Sequence, residues 1–204
     1  LAAYAFAWID FKGRSMLFVF VFALQIVPIQ MALVPLLSLF SEGPTINEVP
    51  IFPGFGLNEV QYSAARVWIA HAIFALPLAT FMLHNFISEI PGEVIEAARV
   101  DGAGHGQVFF RIILPMSMPP VITLAILQFI AAWNEYFWPL LVGQTEGSRV
   151  LTVALGVFRS QTPQGSPDWA GLMAAALIAA VPVMVLYAFF GRRIVNSIGF
   201  TGIK

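Results

Sequence analysis

The sequence predicts an all-α fold, a polytopic transmembrane helical bundle of four full spans plus an N-terminal helix stub, on three observations. The chain of 204 residues is 59% hydrophobic and 10% charged, where soluble domains carry roughly 25% charged residues. Its apolar residues gather into segments of a length that crosses a hydrocarbon core about 30 Å thick at about 1.5 Å per helical residue. Between those segments lie polar stretches rich in glycine and proline, which mark turns. A net charge of −1 and the lack of any basic run exclude a phosphate-tracking surface for nucleic acid. The absence of cysteine removes disulfides and thiolate metal sites and is silent on compartment.

Leu1 to Trp8 is apolar but too short to span or to act as a signal peptide, and reads as the end of a truncated helix. Ser15 to Phe40 is the first span, with Pro28 and Pro35 predicting kinks of the kind that membrane helices tolerate beside cavities. Ser41 to Gln61 holds Pro44, Pro50, Pro53, Gly54 and Gly56 and reads as an extramembrane loop. The second span runs from about Ala64 to Phe86, with Arg66 near its start and Pro77 inside. The third begins near Pro119, which suits a first helical turn, and runs to about Trp138. The cluster Trp133, Tyr136, Phe137 and Trp138 at its end fits an interfacial aromatic belt. Gln144 to Asp168 is again polar loop, and Ala170 to Phe190 is the fourth span, ending at Gly191-Arg192-Arg193. No internal repeat divides the chain, so residues 1–204 read as one transmembrane domain.

Basic residues set the orientation. Lys12, Arg14, Arg99, Arg111, Arg192, Arg193 and Lys204 fall on one side of the four spans, while Arg66, Arg149 and Arg159 fall on the other. Seven against three puts the polar loop of about residues 87–112, and both ends of this chain, in the cytoplasm. Within that loop Pro91 can begin a helix, Glu93 suits its first turn, and Gly102, Gly104 and Gly106 stop it after about three turns. Val94, Ala97, Ala98 and Asp101 share one narrow face of small side chains. A helix this short is marginal alone in water and needs a groove to lie in. A connector lying on lipid is the competing reading, but it calls for Lys and Arg edges and bulky apolar residues, and this face is mainly alanine.

The stretch Glu96-Ala97-Ala98, then Asp101-Gly102-Ala103, Leu114-Pro115 and Pro119 resembles the EAA loop of inner-membrane permease subunits of binding-protein-dependent ABC importers, in the type I architecture. The resemblance covers essentially the whole chain in span order. It implies a coupling helix seated in a cleft on a cytoplasmic ATPase subunit, with Glu96, Ala97, Ala98, Asp101 and Gly102 as the docking residues. Trp133-Asn134-Glu135, Leu151-Thr152 and Gly202-Ile203-Lys204 are similar to the maltose-type, carbohydrate-uptake branch. Phe200-Thr201 departs from the small residues of the family tail, and two helices before the first span are missing relative to the usual six. The resemblance further implies a second permease subunit, two ATP-binding subunits, an extracytoplasmic solute-binding protein and a sugar-type substrate. The chain would lie in the lipid bilayer of a bacterial or archaeal cytoplasmic (inner) membrane, multi-pass, with ATP and Mg held by the partner ATPases and no cofactor of its own. No Walker-type phosphate loop is present, so P-loop hydrolysis belongs to a partner.

Asn134 and Trp133 are the candidate residues for the solute path, an amide for sugar hydroxyls and an indole face for a sugar ring. Both also fit the interfacial belt, as does Glu135. Gln25, Gln30 and Gln128 fit interhelical hydrogen bonds. His71 and His84 stand several turns apart on one helix and cannot share a metal. Glu93 and Glu96 have no acid-base partner nearby in sequence. Three other readings stay open: a permease for a polyol or glycerol phosphodiester, a membrane-embedded enzyme using His84, Glu135 or Asp168, and a passive channel. Copurification with an ATPase separates the last two from an importer.

Overall fold

The computed structural model of the chain describes residues 1–41, 43, 45–46, 49–50, 54–57, 62–143, 147–160 and 168–199. The tail residues Phe200, Thr201, Gly202, Ile203 and Lys204 lie outside the described residues. The elements are α1 (Ala2–Trp8), α2 (Arg14–Ala23) with a 3-10 turn at Leu24–Ile26, α3 (Ile29–Phe40), β1 (Thr45–Ile46), β2 (Val49–Pro50), α4 (Ser63–Ser88) and α5 (Gly92–Val100). They continue as α6 (His105–Val108), a π-helical turn at Phe109–Ile113, α7 (Leu114–Met116), α8 (Met118–Trp133), α9 (Phe137–Val142), α10 (Leu151–Ser160) and α11 (Trp169–Gly199). By length and composition α4 and residues Trp169–Gly191 of α11 can each cross a membrane. The number of candidate spans rises to as many as four if two bent helix pairs, Arg14–Ile26 with Met31–Phe40 and His105–Met116 with Met118–Asn134, each count as one.

The first predicted span is interrupted where Pro28 was expected to kink it. Val27 is extended and Pro28 begins α3, while Pro35 is accommodated inside that helix. The loop after it is not wholly irregular, since Thr45 pairs with Pro50 and Ile46 with Val49 in a two-stranded antiparallel ladder. The third span departs from the sequence reading. Its helix stops at Trp133 rather than Trp138, because the Glu135 carboxylate accepts the backbone N–H groups of Phe137 (3.1 Å) and Trp138 (3.4 Å) and starts α9 afresh. The predicted loop Gln144 to Asp168 contains α10, whose Val153 is buried. The fourth helix continues past Gly191-Arg192-Arg193 to Gly199. Gly191 does not stop it, for it lies under the Tyr187 ring of the preceding turn, 3.4 Å from where a Cβ would stand.

Two compact units make up the chain. The first comprises Leu1–Val27 and Phe74–Gln128, with the end of α11 from Arg192. Its core is Ala3, Tyr4, Ile87, Ile90, Ile95, Ala98, Val108, Phe109 and Ile113. The Leu1 to Trp8 stub is thus a core element: the Trp8 indole N–H donates to the Ile87 carbonyl (3.0 Å), fixing α1 to the end of α4. Phe18 of α2 stacks near His84 (4.2 Å between centroids) and Phe22 near Phe81 (4.5 Å), closing α2 on the same helix. The second unit comprises Pro28–Ile73 and Phe129–Gly191. Its centre is Trp138, fully buried, whose indole N–H donates to the Arg66 carbonyl (3.3 Å) and whose ring faces Phe40. This corrects the belt reading for Trp138, since a buried indole with a protein partner is a packing residue.

Candidate functional site

The polar loop folds as anticipated in kind and shorter in extent. Pro91 is extended and leads into α5, nine residues long, with Glu93 in its first turn and Arg99 in its last. Both charges complement the helix dipole, which favours anions at the N-terminus and cations at the C-terminus. The C-terminal end is a Schellman motif. Gly102 is left-handed (φ 82°), its N–H donates to the Arg99 carbonyl (2.9 Å), and the Ala103 N–H donates to the Ala98 carbonyl (2.9 Å). Ala103 then packs on the same core as Ile95 and Ala98, the hydrophobic contact that often accompanies this motif.

The structure divides the predicted face of Val94, Ala97, Ala98 and Asp101. Ile95 (1% exposed) and Ala98 (8%) turn inward, and Glu96, Ala97, Arg99, Asp101 and Gly102 remain exposed, as does Val100 at 88%. At 3.6 residues per turn, the inward stripe is displaced toward Ile95 because that side chain carries far more apolar area than alanine. The groove that a short helix requires is therefore supplied from within: Ile87 and Ile90 at the end of α4, Val108 and Phe109 after the glycines, and Ile113. Sequence reasoning missed Ile95, although an isoleucine among charged and small residues was a usable signal. Ala98 belongs to the anchored side, and the other four predicted docking residues to the open side.

Behind α5 the Tyr4 hydroxyl lies 3.1 Å from His105 Nδ1, and its ring is tilted against Phe109 at 5.6 Å. Burial raises the Tyr4 phenol above its ordinary value, with the nearby Arg99 charge opposing the shift. The phenol therefore stays protonated at neutral pH, within hydrogen-bond distance of Nδ1. After α6 the π-helical turn Phe109–Ile113 carries the chain to Ser117, where the axis bends by 71° before α8. The Ser117 hydroxyl is buried there with no hydrogen-bond partner.

The other candidate residues lie in the second unit. Trp133 is half-buried, donates its indole N–H to the Ala179 carbonyl of α11 (2.9 Å), and stacks on Phe129. Asn134 is exposed, and its amide N–H donates to the Ile130 carbonyl (2.7 Å). Glu135 holds the start of α9, and its own carbonyl accepts the Thr152 hydroxyl (2.8 Å), which ties α10 to this corner. His71 Nδ1 contacts the Val67 carbonyl one turn back (2.7 Å). No group of three or more metal-ligating side chains gathers among the described residues. Gln25 is exposed and Gln128 half-buried.

A helical chain with bilayer-length apolar segments, carrying a short polar helix anchored on one side and open on the other, defines a membrane component. The chain belongs to the family of binding-protein-dependent transport system inner membrane components, whose profile matches residues 1–199. It is 38% identical over 194 residues to the osmoprotective compounds uptake permease protein GgtD of Synechocystis sp., covering 94% of this chain and 58% of that protein. To the alpha-glucoside transport system permease protein AglG of Rhizobium meliloti it is 36% identical, covering 97% of this chain and 49% of that protein. The trehalose/maltose transport system permease protein MalG of Thermococcus litoralis is 33% identical over 204 residues, which are 100% of this chain and 67% of that protein. The chain thus spans about half to two thirds of the length of these relatives, all three of which are named as permeases.

Proposed function

We propose that this chain is the translocating part of a permease subunit that carries a sugar or oligosaccharide through an ABC importer, driven by ATP hydrolysis on partner subunits. The observation that carries the proposal is the two-sided helix α5, whose Ile95 and Ala98 are locked into a core while Glu96, Ala97, Asp101 and Gly102 face outward. An anchored helix with an open, small-residue face transmits a push, because packed interiors deform little and pass displacement on. In this reading α5 docks on an ATPase subunit, Glu96 meets a basic or hydrogen-bonding group there, and ATP with Mg belongs to that partner. Four spans, with both ends of this chain on the cytoplasmic face, follow if each bent helix pair crosses once. A second permease, two ATP-binding subunits and an extracytoplasmic binding protein complete the assembly. Closure of the ATPases then moves α5 as a lever between inward- and outward-open states, a two-state rigid-body change.

For the solute path, exposed Asn134 presents an amide to a sugar hydroxyl. Trp133 has its N–H engaged by Ala179, so only its ring is open to a sugar. A small polyol-type osmolyte is the second reading, favoured by the relative named for osmoprotective compounds at 38% identity. The test is Glu96→Lys in the assembled transporter. Reversing the charge at a desolvated contact costs on the order of a few kcal/mol, so ATPase copurification and solute uptake both fall while the permease stays folded. Unchanged uptake and copurification sink the docking role. Stimulation of ATPase activity by one binding protein and its solute, tried across sugars and polyols, identifies the cargo.

A further inference from the structure

Arg66 occupies an unusual position for its charge. It lies in the first turn of α4, a 26-residue apolar helix, and no acidic residue accompanies it there. A cation at a helix N-terminus is opposed by the dipole, and one near the end of a membrane helix is costly unless it finds a partner or water. Yet no ion pair joins it to a carboxylate among the described residues. One terminal N–H reaches the Val142 carbonyl at 3.5 Å, and its Nε is buried with no hydrogen-bond partner. An orphaned buried donor on a charged group is a destabilising arrangement that a bound anion would relieve.

The guanidinium borders a cavity of about 340 Å³, formed with Val34, Leu37, Ser38, Phe40 and Ser41 of α3 and the residue after it. Ser38 donates its hydroxyl to the Val34 carbonyl and Ser41 donates its own to the Ser38 carbonyl, both at 3.1 Å. The hydroxyl protons are thus committed, and Arg66 is the group that offers free N–H donors to an occupant. The remaining wall is apolar, and Val34 at the rim is 72% exposed. One planar cationic fork at the end of an apolar helix, beside an apolar cleft, has the chemistry of a site for a phosphate carried on an apolar or small organic body.

The geometry points to an anion site at Arg66 that holds a phosphate ester, supplied by an anionic phospholipid headgroup from the leaflet at the start of α4 or by a soluble phosphate ester. The apolar wall favours the lipid, whose chains follow Val34 and Leu37 outward. None of the residues that line this site belongs to α5. The test uses the assembled transporter in nanodiscs of phosphatidylglycerol or phosphatidylcholine, with native mass spectrometry reading retained lipid and glycerol phosphate as the soluble probe. Wild type retains phosphatidylglycerol over phosphatidylcholine, and Arg66→Gln weakens that retention about tenfold or more, as expected for losing charge-assisted hydrogen bonds. Val34→Trp, which blocks the rim without touching a buried contact, gives the same loss and serves if Arg66→Gln fails to assemble. Arg66-dependent binding of glycerol phosphate without lipid retention assigns the same site to a soluble ester. Equal lipid retention in wild type and both variants with no glycerol phosphate binding, or equal retention of the two lipids with none, overturns the proposal.

Discussion

Replacing Gly102 isolates the role of backbone geometry at the end of α5. Gly102 is at φ 82°, and a Cβ built there meets nothing within 4 Å. A side chain therefore costs conformational energy only. The left-handed region costs an ordinary L-residue about 1–2 kcal/mol, more for a β-branched one, and about 1–2 kcal/mol shifts a two-state ratio by roughly 5- to 30-fold. What is at risk is the pair of hydrogen bonds from Gly102 to Arg99 and from Ala103 to Ala98. Losing them frees the last turn, where Arg99 and Asp101 are held, and releases Ala103 from the core. The series Gly102→Asn, Gly102→Ala and Gly102→Val should therefore lower ATPase copurification and solute uptake progressively, with Asn nearest to wild type because it tolerates the left-handed region. Matched membranes with equal permease abundance provide the assay. Val at wild-type levels refutes the capping argument. Asn as damaging as Val shows instead that the exposed glycine itself touches the partner and that bulk, rather than φ, decides.

Ile95→Ala removes the largest buried side chain of α5 and should destabilise the first unit by about 2–5 kcal/mol; thermal unfolding in detergent checks it, together with uptake falling more than basal ATPase turnover. Asn134→Ala should lower uptake or alter solute preference with assembly intact, since the amide is exposed; wild-type kinetics across several sugars and polyols would move it from the path to the helix end. Trp138→Phe deletes the indole donor to Arg66 and should cost roughly 1–3 kcal/mol in thermal stability, whereas a Trp138 that merely sits in an interfacial belt would tolerate the change without a measurable shift.

The second and fourth spans were legible because hydropathy sums apolar content over about 20 residues, and Ser63–Ser88 came within two residues of its expected limits. Helix ends were less so. Trp133 to Trp138 read as one aromatic span end, but a carboxylate reaching forward two and three residues to backbone N–H groups breaks the helix there, and that is a local hydrogen-bond decision invisible to hydropathy. At Gly191 the candidate span ends as read from the sequence, but the helix itself runs on to Gly199, with Gly191 covered by Tyr187. In the polar loop the helix, its start and its glycine cap were readable from residue types alone. Which face is buried was not, because that depends on Ile87, Ile90 and Ile113, brought from other elements by tertiary packing.

Anchoring and display at α5 are two consequences of one constraint. A nine-residue helix gains little stability from its own hydrogen bonds, so it holds its shape by burying Ile95 and Ala98. That burial fixes its rotation, and fixed rotation directs Glu96, Ala97 and Asp101 outward. Displacing the outer face must then displace Ile95, and with it Ile87, Ile90 and Ile113, since all four pack in one core and packed interiors deform little. Ile87 lies in the last turn of α4, and Ile113 ends the π-helical turn that leads to the 71° bend at Ser117. A π-turn and a buried hydroxyl without a partner make that bend a weakly held segment in an otherwise close-packed path. On the proposed docking role, a push on α5 reaches the last turn of α4 through Ile87, while on the α8 side it meets the bend at Ser117.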